Sequence, residues 1–184
     1  MDLGAETRDL LKLLGAGILT AVLLGALVTF LGVTLFFPHR SPPREEQVLR
    51  NFETHRAAFE RLRDMLIEDK TLVRVADWGV ETTKTMGKPP AGDFPVNRYN
   101  EYLALLKEVR AVGAFRDRGE APESVGALVY ASGFAGDTRH MDVCWLAHEP
   151  PNQVSSLNDF YKTPKPRNPV YRHIEGNWYL WADC

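Results

Sequence analysis

Arg139-His140-Met141-Asp142-Val143-Cys144-Trp145-Leu146-Ala147-His148 is the stretch that decides the fold, because it reads as a strand with two chemically different sides. In an extended strand successive side chains point to opposite faces. Met141, Val143, Trp145 and Ala147 share one parity and predict a core-facing side. His140, Asp142, Cys144 and His148 share the other and predict a polar, solvent-facing side. The polar set invites a metal reading, which geometry opposes. Four residues of strand span about 13 Å, whereas zinc ligands sit about 2 Å from the ion. One straight strand therefore cannot bring His140, Cys144 and His148 to one metal. No metal site and no cofactor is expected.

Working outward, residues 45–69 read as one amphipathic helix. Phe52, Phe59, Leu62 and Leu66 form its apolar stripe at three- and four-residue spacing. Ser41 is placed to cap it, with Pro42 and Pro43 in the first turn and Glu45 and Glu46 at the positive end of the helix dipole. Residues 71–78 are rich in β-branched side chains and predict a strand, with 80–85 as its return partner. The Gly- and Pro-rich run 87–92 breaks the chain. Asn97 is the expected cap of a second helix to about residue 112, stopped by Gly113. Strands are predicted at 114–117, 125–132 and 139–148. A last strand is predicted at 171–182, with Gly176-Asn177 marking a bulge or bend. The order predicts an α+β domain: an antiparallel sheet with two main helices packed on one face.

The last strand holds the other candidate chemistry. His173 and Glu175 stand two residues apart on one face, and a histidine oriented by a carboxylate can act as a general base. No Ser or Cys nucleophile is placed beside them by the sequence. Trp145, Trp178, Tyr179 and Trp181 make the C-terminal region aromatic, which suits a sheet, a cleft or an interface. His55, at the edge of the first helix's stripe, reads as a packed histidine.

Three segments carry a family resemblance: 97–112, 126–132, and Tyr171-Arg172-His173-Ile174-Glu175-Gly176-Asn177-Trp178-Tyr179-Leu180. Together they resemble an uncharacterised family of small bacterial membrane-anchored or lipoprotein-like proteins that end in an EGNWYLY-type motif. Trp181 stands where that motif usually has Tyr. The loop 150–159 is similar to the family's P…V.SLD connector. The similarity covers most of the chain after Phe52. It implies an extracytoplasmic α+β domain and no chemistry.

The N-terminal part obeys different rules. Residues 13–37 contain no charged side chain. As a helix they would span about 37 Å, enough to cross a hydrocarbon core of about 30 Å with tilt. A cleaved signal peptide has a shorter apolar region and a small-x-small site, and the Leu35-Phe36-Phe37-Pro38-His39-Arg40 ending lacks that pattern. The expected organisation is a tail at 1–12, a transmembrane anchor at 13–37, a linker at 38–44 and a soluble domain at 45–184. Gly17, Ala21, Gly25 and Thr29 recur every four residues and form a helix-packing face for another transmembrane helix. Arg8 and Lys12 precede the run, while Arg40, Arg44 and Arg50 follow it. The positive-inside count thus leans slightly against a cytoplasmic N-terminus, whereas the short tail favours one. The latter orientation makes the chain a single-pass signal anchor of the bacterial inner membrane with its C-terminal domain extracytoplasmic.

Cys144 and Cys184 are too few for a disulfide scaffold and leave one bond or two thiols open. A pairing with Cys144 opposite Cys184 would overlap the two strands only in part. A net charge of −2 without a basic cluster argues against nucleic acid. The sequence has no P-loop, no G-x-G-x-x-G after a strand, no H-E-x-x-H, no C-x-x-C and no G-x-S-x-G. The expectation is a membrane-anchored, non-enzymatic interaction or accessory domain. Its partners are the lipid bilayer and another transmembrane helix, in a homo-oligomer or a membrane complex. The alternative is a small ligand-binding or hydrolase domain using the C-terminal aromatic strand region.

Overall fold

The computed structural model describes residues 41–89, 94–116, 124–134, 137–158, 160 and 168–183. The run 13–37, its Gly17/Ala21/Gly25/Thr29 face, and Cys184 lie outside them. Among the described residues no helix is long and apolar enough to cross a membrane.

The domain is α+β, with three helices and eight strands among the described residues. In chain order these are α1 (Glu45–Thr54), α2 (Arg56–Glu68), β1 (Leu72–Ala76), β2 (Gly79–Thr82), β3 (Met86–Gly87), α3 (Val96–Glu108), β4 (Gly113–Arg116), β5 (Val125–Phe134), β6 (Asp137–Trp145), β7 (Val170–Glu175) and β8 (Trp178–Asp183). One antiparallel sheet runs β3-β2-β1-β4-β5-β6-β8-β7.

The helices share one face of that sheet. Phe52, Phe59, Leu62, Met65, Leu66, Tyr102 and Leu106 from the helices form one core with Val75, Ala114, Ala127, Met141, Val143, Trp178 and Leu180 from the strands. The expected single helix 45–69 is two helices, broken at His55 (φ −114°, ψ 28°). No Pro or Gly marks the break. The bend lets Phe52 and Phe59 both reach the Trp178 ring, at 5.2 and 6.3 Å between centroids. Tertiary packing, not local propensity, sets it.

Ser41 does not cap α1; the N-cap is Arg44, whose N–H donates to Gln47 Oε1 at 3.1 Å. Glu45, expected at the positive end of the helix dipole, is buried. Its carboxylate accepts from Ser156 Oγ at 3.0 Å and from the Leu157 N–H, and pairs with the Arg172 guanidinium. A buried carboxylate needs such compensation. It ties the first residue of α1 to the 150–158 loop and to the edge strand β7.

The second helix is capped by Pro95 rather than Asn97, and it ends at Glu108 rather than at Gly113. Arg110 adopts φ +55° just beyond it, and the Ala111 N–H closes back to the Leu106 carbonyl at 2.9 Å. Gly113 instead opens β4.

The predicted last strand 171–182 is a hairpin. Gly176 takes φ +50°, which glycine adopts without strain, and the chain reverses between β7 and β8. β8 inserts between β6 and β7, pairing Cys144 with Tyr179 and His140 with Asp183.

Candidate functional site

The other sheet face, opposite the helices, carries the chemistry that remains. Directly paired residues of an antiparallel sheet share a side, so the registers define two transverse rows on it. One row runs Arg74, Phe115, Gly126, Cys144, Tyr179, His173. The next runs Ala76, Gly113, Leu128, Asp142, Trp181, Tyr171. The middle of the first row is a close fit. A β-carbon on Gly126 would come within 2.6 Å of the Phe115 ring and 3.2 Å of Cys144 Cβ, so the absence of a side chain there lets Phe115 lie flat on the sheet.

The β6–β8–β7 end of this face is not the polar, wetted side expected from parity. Cys144, Leu146, Tyr171, Tyr179 and Trp181 form a second buried apolar cluster, and Asp142 is fully buried beside them. Burial pushes the Cys144 thiol well above its ordinary pKa, and the Asp142 charge adds to the shift. Its Sγ–H donates to the Tyr179 carbonyl at 3.5 Å. A neutral, enclosed thiol is a poor nucleophile and a poor metal ligand. Cys144 is free, and it opposes Tyr179, not the chain end. Asp183, the residue before Cys184, opposes His140, about 13 Å of strand from Cys144. The Cys144–Cys184 pairing turns on Cys184, which lies outside the described residues.

His173 and Glu175 are not brought together. A bulge between them pairs His173 with Tyr179 but Glu175 with Trp178, which moves Glu175 to the helix side. There its carboxylate pairs with Arg56 of α2. His173 is exposed, with Nε2 2.9 Å from the Gly176 carbonyl and its ring 5.2 Å from that of Tyr179. No general-base dyad exists in this arrangement. Among the described residues no group of three or more His, Cys, Asp or Glu side chains is placed to hold a metal.

The β1–β4–β5 end of the same face is open. A cavity of about 270 Å³ lies there, lined by Arg74, Trp78, Val112, Phe115 and Leu128 among others. Two large apolar side chains at its rim face water: Trp78 is 37 % exposed and Val112 52 %. The Arg74 guanidinium stacks 5.2 Å from the Trp78 ring and pairs with Glu81 at 2.8 Å. Sequence reasoning assigned Trp78 only to a strand end. The available signal was its place in Asp77-Trp78-Gly79, a turn, where an indole finds no sheet neighbour to cover it.

Comparison with known proteins finds no matching family model, no matching curated protein and no matching solved structure.

Proposed function

We propose that this chain is a membrane-anchored interaction domain, an accessory subunit of a membrane assembly, displayed on the extracytoplasmic side. The uncharged run 13–37 supports the anchor. The observation that carries the interaction reading is the open end of the helix-free face. There an exposed tryptophan, stacked under an arginine, borders an apolar cavity. Trp and Arg are the residues that dominate binding energy at interfaces, above all in desolvated pockets. Isolated apolar side chains are common on surfaces, but a contiguous patch on a concave site marks a contact.

The test places a photo-crosslinking amino acid at Trp78 of the full chain in native membranes, followed by purification in mild detergent. The expected result is one dominant adduct, either with a stoichiometric partner or with a second copy of this chain. A monodisperse monomer without adducts would overturn the reading. For the orientation, an alkaline phosphatase fused after Cys184 is expected to be active; an inactive fusion returns the domain to the cytoplasm.

A further inference from the structure

We infer that a separate cleft, between α1 and the end of α3, binds a phosphate-bearing anion, supplied by the headgroups of anionic lipid. The cleft holds about 500 Å³; its sheet residue, Val129 of β5, is the chain neighbour of Leu128 in the Trp78 cavity but packs against the helix-side core. Gln47, Arg50, Asn51 and Thr54 line it from one stripe of α1, at the three- and four-residue spacing that stacks side chains on one helix face. His55 from the helix break and Arg110 from the end of α3 close its other sides.

Its charge is unbalanced. Arg56, Arg61, Arg63, Arg74, Arg98 and Arg172 each pair with a carboxylate. Arg50 and Arg110, both exposed, pair with none among the described residues. Two carboxylates stand near the cleft: Glu46, one turn before Arg50 on α1, feels the Arg50 charge, and Glu108 Oε1 is 3.9 Å from His55 Nδ1. Two free guanidiniums with amide and hydroxyl neighbours suit a phosphate, whose oxygens accept from planar N–H forks.

The backbone at Arg110 gives an independent argument. Its φ of +55° lies in the left-handed region, at the position after a helix where glycine is favoured. Asn51 Nδ2 donates to the neighbouring Val109 carbonyl at 2.7 Å and fixes that turn against α1. An arginine there is less favourable for folding than glycine, and its side chain lines the cleft. The lipid source rests on the anchor reading: Pro43, on the cleft's rim, follows the uncharged run 13–37 six residues on in the sequence.

The experiment is native mass spectrometry of the full chain released from detergent after equilibration with phosphatidylglycerol, phosphatidylcholine or inorganic phosphate. The wild type is expected to retain phosphatidylglycerol at least tenfold over phosphatidylcholine. Arg50→Gln with Arg110→Gly is expected to lose that preference. Arg110→Gly alone is expected to melt no lower than the wild type, so lost binding is not lost folding. Preference abolished by equimolar inorganic phosphate, with wild-type phosphate adducts that the double variant lacks, supports the site and assigns its ligand to solution. Equal retention of both lipids by the wild type without phosphate adducts, or equal adducts in wild type and variant, overturns the site. Alkaline carbonate extraction of native membranes scores the anchor separately. Release of the chain there removes the anchor and the lipid source, while phosphate adducts are still counted.

Discussion

On the helix side of the sheet, aromatic rings from α1, α2 and β8 interlock. On the opposite side the β6–β8–β7 end is packed to the same standard, while the β1–β4–β5 end leaves Trp78 and Val112 in water beside a cavity. The same sheet therefore treats apolar surface in two ways. Three helices bury one side for stability. On the other, five residues of β6, β7, β8 and their flank bury one another, and the far end keeps an uncompensated apolar edge. Burial of a large aromatic stabilises by a few kcal/mol, and leaving one out forgoes that. A fold that seals one end of a face and not the other has a use for the difference.

The largest effect expected concerns the sealed end. In a Cys184→Ser chain Cys144 is the only thiol, buried on a central strand and held neutral. Alkylation by iodoacetamide should require unfolding and proceed at least about 10³-fold more slowly than in denaturant, the low end of folding equilibrium constants. Mass spectrometry after timed quenching measures it. Rapid native labelling would mean that this end is as open as the Trp78 end, and the contrast would vanish.

Next come the ties on the helix side. Phe59→Ala removes a ring that touches Phe52 and Trp178 and should cost about 3–5 kcal/mol. Glu45→Ala leaves Arg172 without its partner and strips an acceptor from Ser156 and Leu157. Breaking a buried pair from one side costs about 3–5 kcal/mol. Chemical denaturation of the detergent-solubilised chain would report both. Values under about 1 kcal/mol would show that the helix layer is peripheral to the fold.

How far the sequence could have led to this differs by region. The helical stripe Phe52, Phe59, Leu62, Leu66 was legible because one-sided burial imposes a 3.6-residue period. Parity in 139–148 correctly separated Met141, Val143 and Trp145 from Asp142 and Cys144. It could not say what covers the second set, since parity records which side chains share a face and nothing about that face's neighbours. The hairpin at Gly176 was invisible as a reversal because alternating aromatic and aliphatic residues continue on both sides of a two-residue turn. The bulge that parts His173 from Glu175 is set by the β8 partner, which no local pattern encodes. Arg110 was passed over for the same reason: Gly113 looked like the natural helix stop, and a left-handed arginine has no sequence signature.

The smallest stability change is expected at the open end, and it is the one that tests function. Trp78 is already more than a third exposed, and its evident partner is the Arg74 guanidinium. An exposed cation–π contact is worth about 0.5–1 kcal/mol, and truncation leaves no closed cavity because this one already opens to water. Trp78→Ala should therefore shift stability by no more than about 1 kcal/mol, a fraction of the Phe59→Ala cost. The same change should weaken association sharply, since truncating a central interface tryptophan commonly costs about 2 kcal/mol or more, roughly thirtyfold in affinity. Arg74→Ala offers a graded control: it removes the stacked cation and its Glu81 pair while leaving the indole. Analytical ultracentrifugation in detergent, alone and with the crosslinked partner, separates the two effects. If Trp78→Ala instead destabilises as Phe59→Ala does while association is unchanged, Trp78 belongs to the core and the two faces are built alike.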